Sequence, residues 1–243
     1  MSQKATSRIF TTWLYLKMSI LRKSWAFALD IFFPPLCLNC QNYLEENEKP
    51  DLVCRECLEK IELNKILFHP NNISGINFSL AAAASYNDKT VKELIHHLKY
   101  NGLTGATKPL GEFILKYLTD INLNRADWIL VPIPLHSSKY RKRGFNQAEL
   151  IIEEVNKKLR LQIITKALKR VRETDPQITF SGTKREENVK NCFGPGEEIN
   201  LVRDKKVILV DDVYTSGATM KEAIKVLRRN GVKEVMGLVV AKA

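Results

Sequence analysis

The chain has 243 residues, and its 44% apolar content is enough for one α/β domain plus a smaller module. The sequence contains no internal repeat, low-complexity segment or uncharged run of about 18 residues, which excludes repeat, fibrous and membrane-spanning classes. The net charge of +11 and the pI near 9.4 favour a phosphate-rich partner such as nucleic acid.

Residues 1–30 have the pattern of a basic amphipathic helix. Apolar side chains recur at helical spacing at Ile9, Trp13, Leu16 and Ile20, and basic residues lie between them. Such a helix either makes a peripheral membrane or partner contact, or packs on its own domain. Lys17 interrupts the apolar run and no small-residue cleavage site follows, so we expect no secretory signal and a cytoplasmic location.

Four cysteines predict a small metal module at residues 31–66. The CxxC pairs Cys37/Cys40 and Cys54/Cys57 are separated by thirteen residues, and Cys192 stands alone downstream. Two such pairs can complete a tetrahedral four-sulfur shell, which suits a structural zinc because no ligand position stays open. A redox motif or an iron–sulfur cluster would use the same residue type, but the paired spacing favours a zinc ribbon.

The middle of the chain combines predicted helices with one buried strand. The run Val91–Leu98 has apolar residues at helical spacing, and Lys99 follows it. Lys99 either interacts with the carboxyl end of this helix through its charge or faces a ligand. The run 129–131 predicts a buried strand, and residues 143–147, Arg-Gly-Phe-Asn-Gln, open another helix.

Basic residues are concentrated in two patches, 139–143 and 157–172, and the second has seven basic residues and no acid. Such patches are either solvated surface or a track for nucleic-acid phosphates. Because few aromatic residues lie between them, we expect single-stranded DNA to bind with little sequence preference. The residues expected to contact DNA are Arg141, Lys142, Arg143, Lys169, Arg170 and Arg172.

A predicted phosphate site follows the apolar strand at Val207–Val210. The strand runs into Asp211 and Asp212, then into a Thr-Ser-Gly-Ala-Thr loop at 215–219, and then into a predicted helix. Free N–H groups at a helix start bind phosphate, and adjacent carboxylates can accept hydrogen bonds from ribose hydroxyls. A simple strand-end turn with a helix cap is the alternative. The whole run resembles the phosphoribosyl-pyrophosphate (PRPP) motif of type I phosphoribosyltransferases.

The order of motifs along residues 31–243 resembles the ComF family of ComFC- and GntX-like proteins. These motifs are the four cysteines, Pro-Ile-Pro-Leu at 132–135, Arg-Gly-Phe-Asn-Gln at 143–147, a polar segment with Gln177, and the phosphate loop. The resemblance implies an α/β type I phosphoribosyltransferase fold at residues 78–243, with a mostly parallel sheet flanked by helices, behind the zinc ribbon. It also implies natural transformation, in which single-stranded DNA is handled together with a ComFA-type helicase.

The resemblance further implies roles for individual residues. Asp211 and Asp212 would contact the ribose, and Mg²⁺ would lie on the pyrophosphate of PRPP. The 5′-phosphate would be held by Thr215, Ser216, Gly217, Ala218 and Thr219. Leu135 and His136 would belong to the pyrophosphate loop, and Lys99 would face the ligand through a Lys-aromatic-x-Gly element. Lys184 and Arg185 would be pyrophosphate contacts of a flexible loop, or else surface residues.

No segment of the sequence identifies a part that selects a nucleobase, and no catalytic residue is assigned. Two functions therefore follow from the motifs: a transformation protein that uses a PRPP site with single-stranded DNA, or a salvage enzyme that transfers phosphoribose to a base or amine. An adaptor that binds only protein is a third. The basic patches and the cysteine module favour the first, and the intact acidic pair keeps the second open.

Overall fold

A computed structural model describes residues 34–69, 77–121, 127–174 and 188–243. The predicted N-terminal helix and the two candidate pyrophosphate contacts Lys184 and Arg185 lie outside these ranges.

The main element is a five-stranded sheet in which every neighbouring pair of strands is parallel. Its strands are β1 (Ser79–Ser85), β2 (Trp128–Pro132), β3 (Gln162–Ile163), β6 (Lys206–Tyr214) and β7 (Glu234–Lys242), and the two short strands β4 (Leu168–Arg170) and β5 (Phe193–Pro195) pair separately as an antiparallel ribbon. The order across the sheet is β1-β7-β6-β2-β3. The apolar runs of β6 and β7 are buried because helices cover both faces of the sheet.

Six described helices accompany the sheet: α1 (Arg55–Glu59), α2 (Lys89–His96), α3 (Thr107–Asp120), α4 (Ser137–Arg143), α5 (Gln147–Leu159) and α6 (Ala218–Arg229). Side-chain caps start three of them, since Asp88 accepts a hydrogen bond from the Val91 N–H, His136 accepts one from the Ser138 N–H and Asn146 accepts one from the Ala148 N–H. The chain continues past α2 as a π-helical turn, His97–Asn101. Among the helices described here, none is long and apolar enough to cross a membrane.

The connections create a crevice between β6 and β2. Apolar residues of α2, α3 and α5 form the core on one face, and those of α6 form the core on the other face. The chain therefore leaves β2 toward one face, through α5 to β3, and leaves β6 toward the opposite face, through α6 to β7. Where neighbouring parallel strands diverge in this way, their carboxyl ends form the usual ligand site.

The cysteine module is part of the core on the α2–α3 face. Buried Leu44, Val53 and Ile61 belong to the same apolar cluster as the helices of that face. Residues 63–68 also follow the free edge of β1 through two antiparallel bridges, Leu63 to Ala84 and Phe68 to Leu80. This segment covers an edge strand that would otherwise present unpaired backbone groups. The module and the domain consequently form one packed unit.

Candidate functional site

The acidic pair lies at the carboxyl end of β6, the central strand of the sheet. Asp212 is 6% exposed, and one of its oxygens, Oδ1, lies 2.8 Å from Nζ of Lys99. Lys99 reaches this strand from the π-helical turn after α2. Burial alone would lower the pKa of Lys99, but the charges of Asp212 and Asp211 outweigh it and raise the pKa. Lys99 therefore stays charged and faces the site.

Asp211 points away from this ion pair, because successive side chains of a strand lie on opposite faces. Its carboxylate accepts a hydrogen bond of 2.9 Å from the backbone N–H of Asp212. Burial, together with the negative charge of Asp212, raises the pKa of Asp211 to about 7. Near neutral pH this group exchanges readily between a carboxylate and a carboxylic acid. Both of its oxygens can accept hydrogen bonds from a ligand only in the ionised form, which a bound cation or the ligand itself would favour.

The predicted phosphate loop has the geometry of an anion cradle. Gly217 has a φ of +77° and caps α6, and a Cβ at this position would lie 2.2 Å from the Tyr214 hydroxyl oxygen. Only glycine fits there without moving Tyr214. Ser216 accepts a hydrogen bond from the Ala218 N–H at 3.4 Å. A small pocket, open to solvent, is lined by Asp211, Val213, Tyr214, Thr215, Gly217, Ala218, Thr219 and Met220.

The loop that follows β2 lies at the same edge of the sheet, since β2 neighbours β6. Leu135 and His136 are half-buried, and His136 caps α4 by accepting a hydrogen bond from the Ser138 N–H. Ser138 donates to Glu173 at 2.6 Å, and Lys139 donates to the backbone oxygen of Thr174 at 2.6 Å. These bonds tie the predicted pyrophosphate loop to the segment that leads into residues 175–187.

The Arg-Gly-Phe-Asn-Gln motif is positioned against the same site. Asn146 is buried and donates to the backbone oxygen of Ile133 at 3.1 Å, which fixes the start of α5 to the loop after β2. Arg143 is half-buried and donates a hydrogen bond to Oε1 of buried Gln147. Burial lowers the pKa of Arg143, and the nearby charge of Asp212 opposes that effect. The sequence interpretation did not assign Gln147 to the site, although the motif contains it.

The candidate DNA-binding residues do not form one continuous exposed patch. Arg141, Lys142, Lys169 and Arg172 are exposed, whereas Arg143 and Arg170 are half-buried. The Arg170 guanidinium lies over the Phe193 ring at 5.2 Å and donates to Thr174, and its charge acts on Asp211. Arg172 donates to the backbone oxygens of Asn188 and Lys190. Arg143 and Arg170 are consequently held by contacts within the protein rather than free in solvent, and their charges act on the acidic pair.

The four predicted metal ligands converge. The sulfur atoms of Cys37, Cys40, Cys54 and Cys57 all lie within 4.8 Å of one another, and three of these residues are buried. Burial alone would raise the pKa of Cys37, but backbone N–H donors from Cys40, Cys54 and Asn39 lower it to about 7. A convergent, hydrogen-bonded set of thiols of this kind fits a four-coordinate metal ion without an open position. Cys192 is buried outside this group.

Residues 141–243 match the phosphoribosyl transferase domain family. Competence protein F of Haemophilus influenzae is 35% identical over 114 residues, which cover 47% of this chain and 50% of that protein. DNA utilization protein YhgH of Escherichia coli K12 is 31% identical over 58% of this chain and 63% of its own length. Competence protein ComFC of Streptococcus pneumoniae is 27% identical over 66% of this chain and 67% of that protein. The chain thus spans about half to two thirds of the length of these curated relatives.

Among solved structures, glutamine PRPP amidotransferase from B. subtilis is 22% identical, with a TM-score of 0.35 over 56% of this chain and 26% of that chain. A hypoxanthine phosphoribosyltransferase from Staphylococcus aureus is 12% identical, with a TM-score of 0.29 over 58% of this chain and 64% of that chain. The family match and the order of the parallel strands confirm the predicted fold, a type I phosphoribosyltransferase sheet flanked by helices.

We expect Cys37→Ser to release the metal bound by the four cysteines and to destabilise the whole protein. Three thiolates bind zinc more weakly than four, and the module shares its core with α2 and α3. Elemental analysis and urea unfolding measure the two effects. Cys192→Ala is the matched control, because it removes a buried thiol outside the cluster and should leave the metal in place. Iron in place of zinc, or no metal in the wild type, would contradict the zinc assignment.

We also expect Asp211→Asn to change how stability depends on pH. The pKa of Asp211 rises from 3.8 to about 7 on folding, so the stability that its protonated form contributes is complete below about pH 4. That contribution is lost as the pH rises through 7. An asparagine at position 211 does not ionise, so the variant does not undergo this loss of stability. The free energy of unfolding, measured with urea at about pH 5 and about pH 8, should therefore decrease less between these two pH values in the variant than in the wild type. Exposed Asp120→Asn is the control, and equal decreases in wild type and Asp211→Asn would refute the assignment.

Proposed function

Because this chain belongs to the ComF family, with a phosphoribosyltransferase domain behind a four-cysteine module, we propose that it acts in competence-related DNA uptake through a PRPP site. The observation that carries the proposal is the acidic pair at the end of β6, beside the cradle around Gly217. In our proposal PRPP binds there with Mg²⁺, and the metal of the four-cysteine cluster is a structural zinc.

In this arrangement each part of PRPP has a chemical counterpart. The 5′-phosphate lies at the amino end of α6, where backbone N–H groups and the helix dipole favour an anion. The carboxylates of Asp211 and Asp212 accept hydrogen bonds from the two ribose hydroxyls. The pyrophosphate with its Mg²⁺ extends toward the loop at Leu135 and His136. The cation would neutralise charge on the pyrophosphate, and Lys99 holds Asp212 in place through their ion pair.

Single-stranded DNA is the second partner in our proposal. Arg141 and Lys142 are exposed at the end of α4, which follows β2 and lies at the same edge of the sheet as the PRPP site. Their charges would neutralise backbone phosphates. The finer parts of the proposal are a ComFA-type helicase as protein partner, a cytoplasmic location, and a peripheral membrane contact through residues 1–30.

A salvage transferase is the alternative function. The observation in its favour is the ion pair between Lys99 and Asp212, which fixes the position of the carboxylate proposed to bind the ribose. Steady release of pyrophosphate from PRPP in the presence of a free base would support this alternative over a role in DNA uptake.

We expect PRPP with Mg²⁺ to raise the melting temperature, because a ligand that binds only the folded state stabilises it by mass action. At a concentration 100 times the dissociation constant the gain is about 2.7 kcal/mol. The double variant Asp211→Asn with Asp212→Asn should lose this response. Scanning fluorimetry and calorimetric titration measure the binding, and transformation frequency in a competent host measures the use of the site.

The double variant has a structural consequence that needs its own control. It leaves the Lys99 ammonium without its carboxylate partner, which should cost about 1–3 kcal/mol of apo stability. Adding Lys99→Met removes the unpaired charge and should restore part of that stability without restoring the PRPP response. A double variant that still responds to PRPP would overturn the site. A variant that loses PRPP binding but transforms normally would show that DNA uptake does not use the site.

Single-stranded DNA should bind with an affinity that falls steeply as salt rises, since binding releases counterions. Changing Arg141, Lys142 and Lys169 to glutamate should weaken it by at least tenfold in a fluorescence anisotropy titration, that is by at least about 1.4 kcal/mol. The matched control changes three exposed basic residues at the opposite, amino edge of the sheet: Lys205, Arg229 and Lys233. Equal losses in both triple variants would show a general charge effect instead of a DNA-binding edge.

A further inference from the structure

A second group of metal-ligating side chains lies on α2 and on the turn that follows it. The ligand atoms of Glu93, His96 and His97, one carboxylate oxygen and two imidazole nitrogens, all lie within 4.8 Å of one another. Glu93 and His97 are half-buried, and His96 is exposed. Ligand atoms at about 2.0–2.2 Å from one metal ion lie roughly 3–4 Å apart. Small side-chain rotations are therefore enough to bring all three atoms onto one ion.

The spacing of the three residues explains why they meet. Glu93 stands three positions before His96 and four positions before His97, and these are the two separations at which helix side chains are neighbours. Glu-x-x-His on a helix is a known metal-binding arrangement. Glu93 belongs to α2, whereas His97 opens the π-helical turn. A bound ion would therefore join the helix to the turn.

The His97 ring lacks polar partners. Its Nε2 lies 3.8 Å from Oε2 of Glu93, which is too long for a hydrogen bond. Within the described part of the chain, its buried Nδ1 has no hydrogen-bond partner. A neutral imidazole carries a proton on one nitrogen and a lone pair on the other. His97 thus keeps a lone pair that no contact in the described ranges uses, and this lone pair is available to an ion.

Packing holds the three side chains in place. The His96 ring contacts the His97 ring nearly at right angles, with centroids 5.7 Å apart, and the Tyr100 ring with centroids 4.9 Å apart. These contacts on two sides limit the motion of the exposed imidazole. The opposite face of the same segment is anchored in the core by fully buried Val91, Leu94, Ile95 and Leu98. Ligands that project from a rigid element lose less freedom when they bind a metal.

We infer that Glu93, His96 and His97 bind one divalent transition-metal ion, and that zinc is the ion that fits this set best. Imidazole suits zinc, copper, iron and nickel, and two imidazoles with one carboxylate form a known three-ligand zinc set. Three protein ligands leave at least one position for water. This ion is separate from the metal of the four cysteines, and its binding depends on neither PRPP nor DNA.

A divalent metal ion satisfies these groups better than a proton or a hard cation. A proton on His97 would create an ion pair with Glu93 at 3.8 Å, but a partly exposed pair of this kind contributes little stability and does not involve His96. Mg²⁺ and Ca²⁺ prefer shells of oxygen atoms, and this cluster offers one carboxylate. A single zinc-like ion uses all three side chains.

The test uses the full-length protein without an affinity tag, after its four cysteines have been loaded with zinc. Calorimetric titration with Zn²⁺ and with Ni²⁺ should show one further equivalent with a dissociation constant in the micromolar range. Co²⁺ added to the same protein should give an absorption spectrum without a thiolate charge-transfer band, because imidazole and carboxylate are its ligands. The added ion should also raise the melting temperature, since it binds only the folded protein.

Replacing one ligand should weaken this binding by at least about tenfold, because even the outer-shell partners of a metal contribute that much. His96→Ala is the main variant, since His96 is exposed and its removal should leave the fold intact. Glu93→Gln and His97→Gln test the other two ligands. The matched controls are His69→Ala and Glu112→Gln, which remove an exposed imidazole and an exposed carboxylate outside the cluster and should bind the ion like the wild type.

Several results would overturn this metal site. One is the absence of any further equivalent, and another is saturation only at millimolar concentrations, which would show an adventitious ion only. Unchanged binding in both His96→Ala and Glu93→Gln would refute the assignment of the ligands. A thiolate band in the cobalt spectrum would place the added ion at the cysteines instead. Because neither PRPP nor DNA is present, failure of this site and failure of the proposed function are separate outcomes.

Discussion

Charge balance at the end of β6 is the constraint on which the site depends. Two adjacent carboxylates end a strand that is buried on both faces, and neither repulsion nor burial favours two negative charges there. Lys99 balances Asp212 at 2.8 Å, and the charges of Arg143 and Arg170 act on the same pair from elsewhere. These three cations come from the π turn, α4 and β4. The pair is therefore stable only when the separate elements pack together.

The cysteine module supports the position of Lys99 from outside the sheet. Gly105 lies in the short helical turn Thr104–Ala106 that precedes α3, and a Cβ on Gly105 would meet the backbone oxygen of Pro50 at 2.2 Å. The same segment is tied to the π turn by a hydrogen bond from the Leu103 N–H to the backbone oxygen of His97. A metal that holds the module together thus also stabilises the backbone that carries Lys99. The module contributes packing to the site although no cysteine faces the crevice.

The carboxyl edge of the sheet collects the groups that we propose bind phosphate and ribose. The cradle around Gly217 follows β6, and the loop with His136 and the helix with Arg141 follow β2. Parallel strands bring all their carboxyl ends to one edge, so the proposed PRPP site and the proposed basic surface for nucleic acid are neighbours through topology alone. In our proposal this closeness is the physical basis for coupling the two ligands in one protein.

The sequence alone was sufficient to predict the four-cysteine cluster and the strand before Asp211, because each depends on local spacing, and the fold, because a series of contiguous motifs resembles a known family; the phosphate-binding role of the loop at 215–219 stays a prediction. Gly217 is one example, since its need for a positive φ follows from the loop that contains it. The sequence did not show that Lys99 pairs with Asp212, which lies 113 positions away, or that Arg143 and Arg170 are held by contacts within the protein instead of lying free in solvent. It also gave no role to Gln147. Those relations depend on the direction in which each helix crosses the sheet, and only tertiary packing decides that direction.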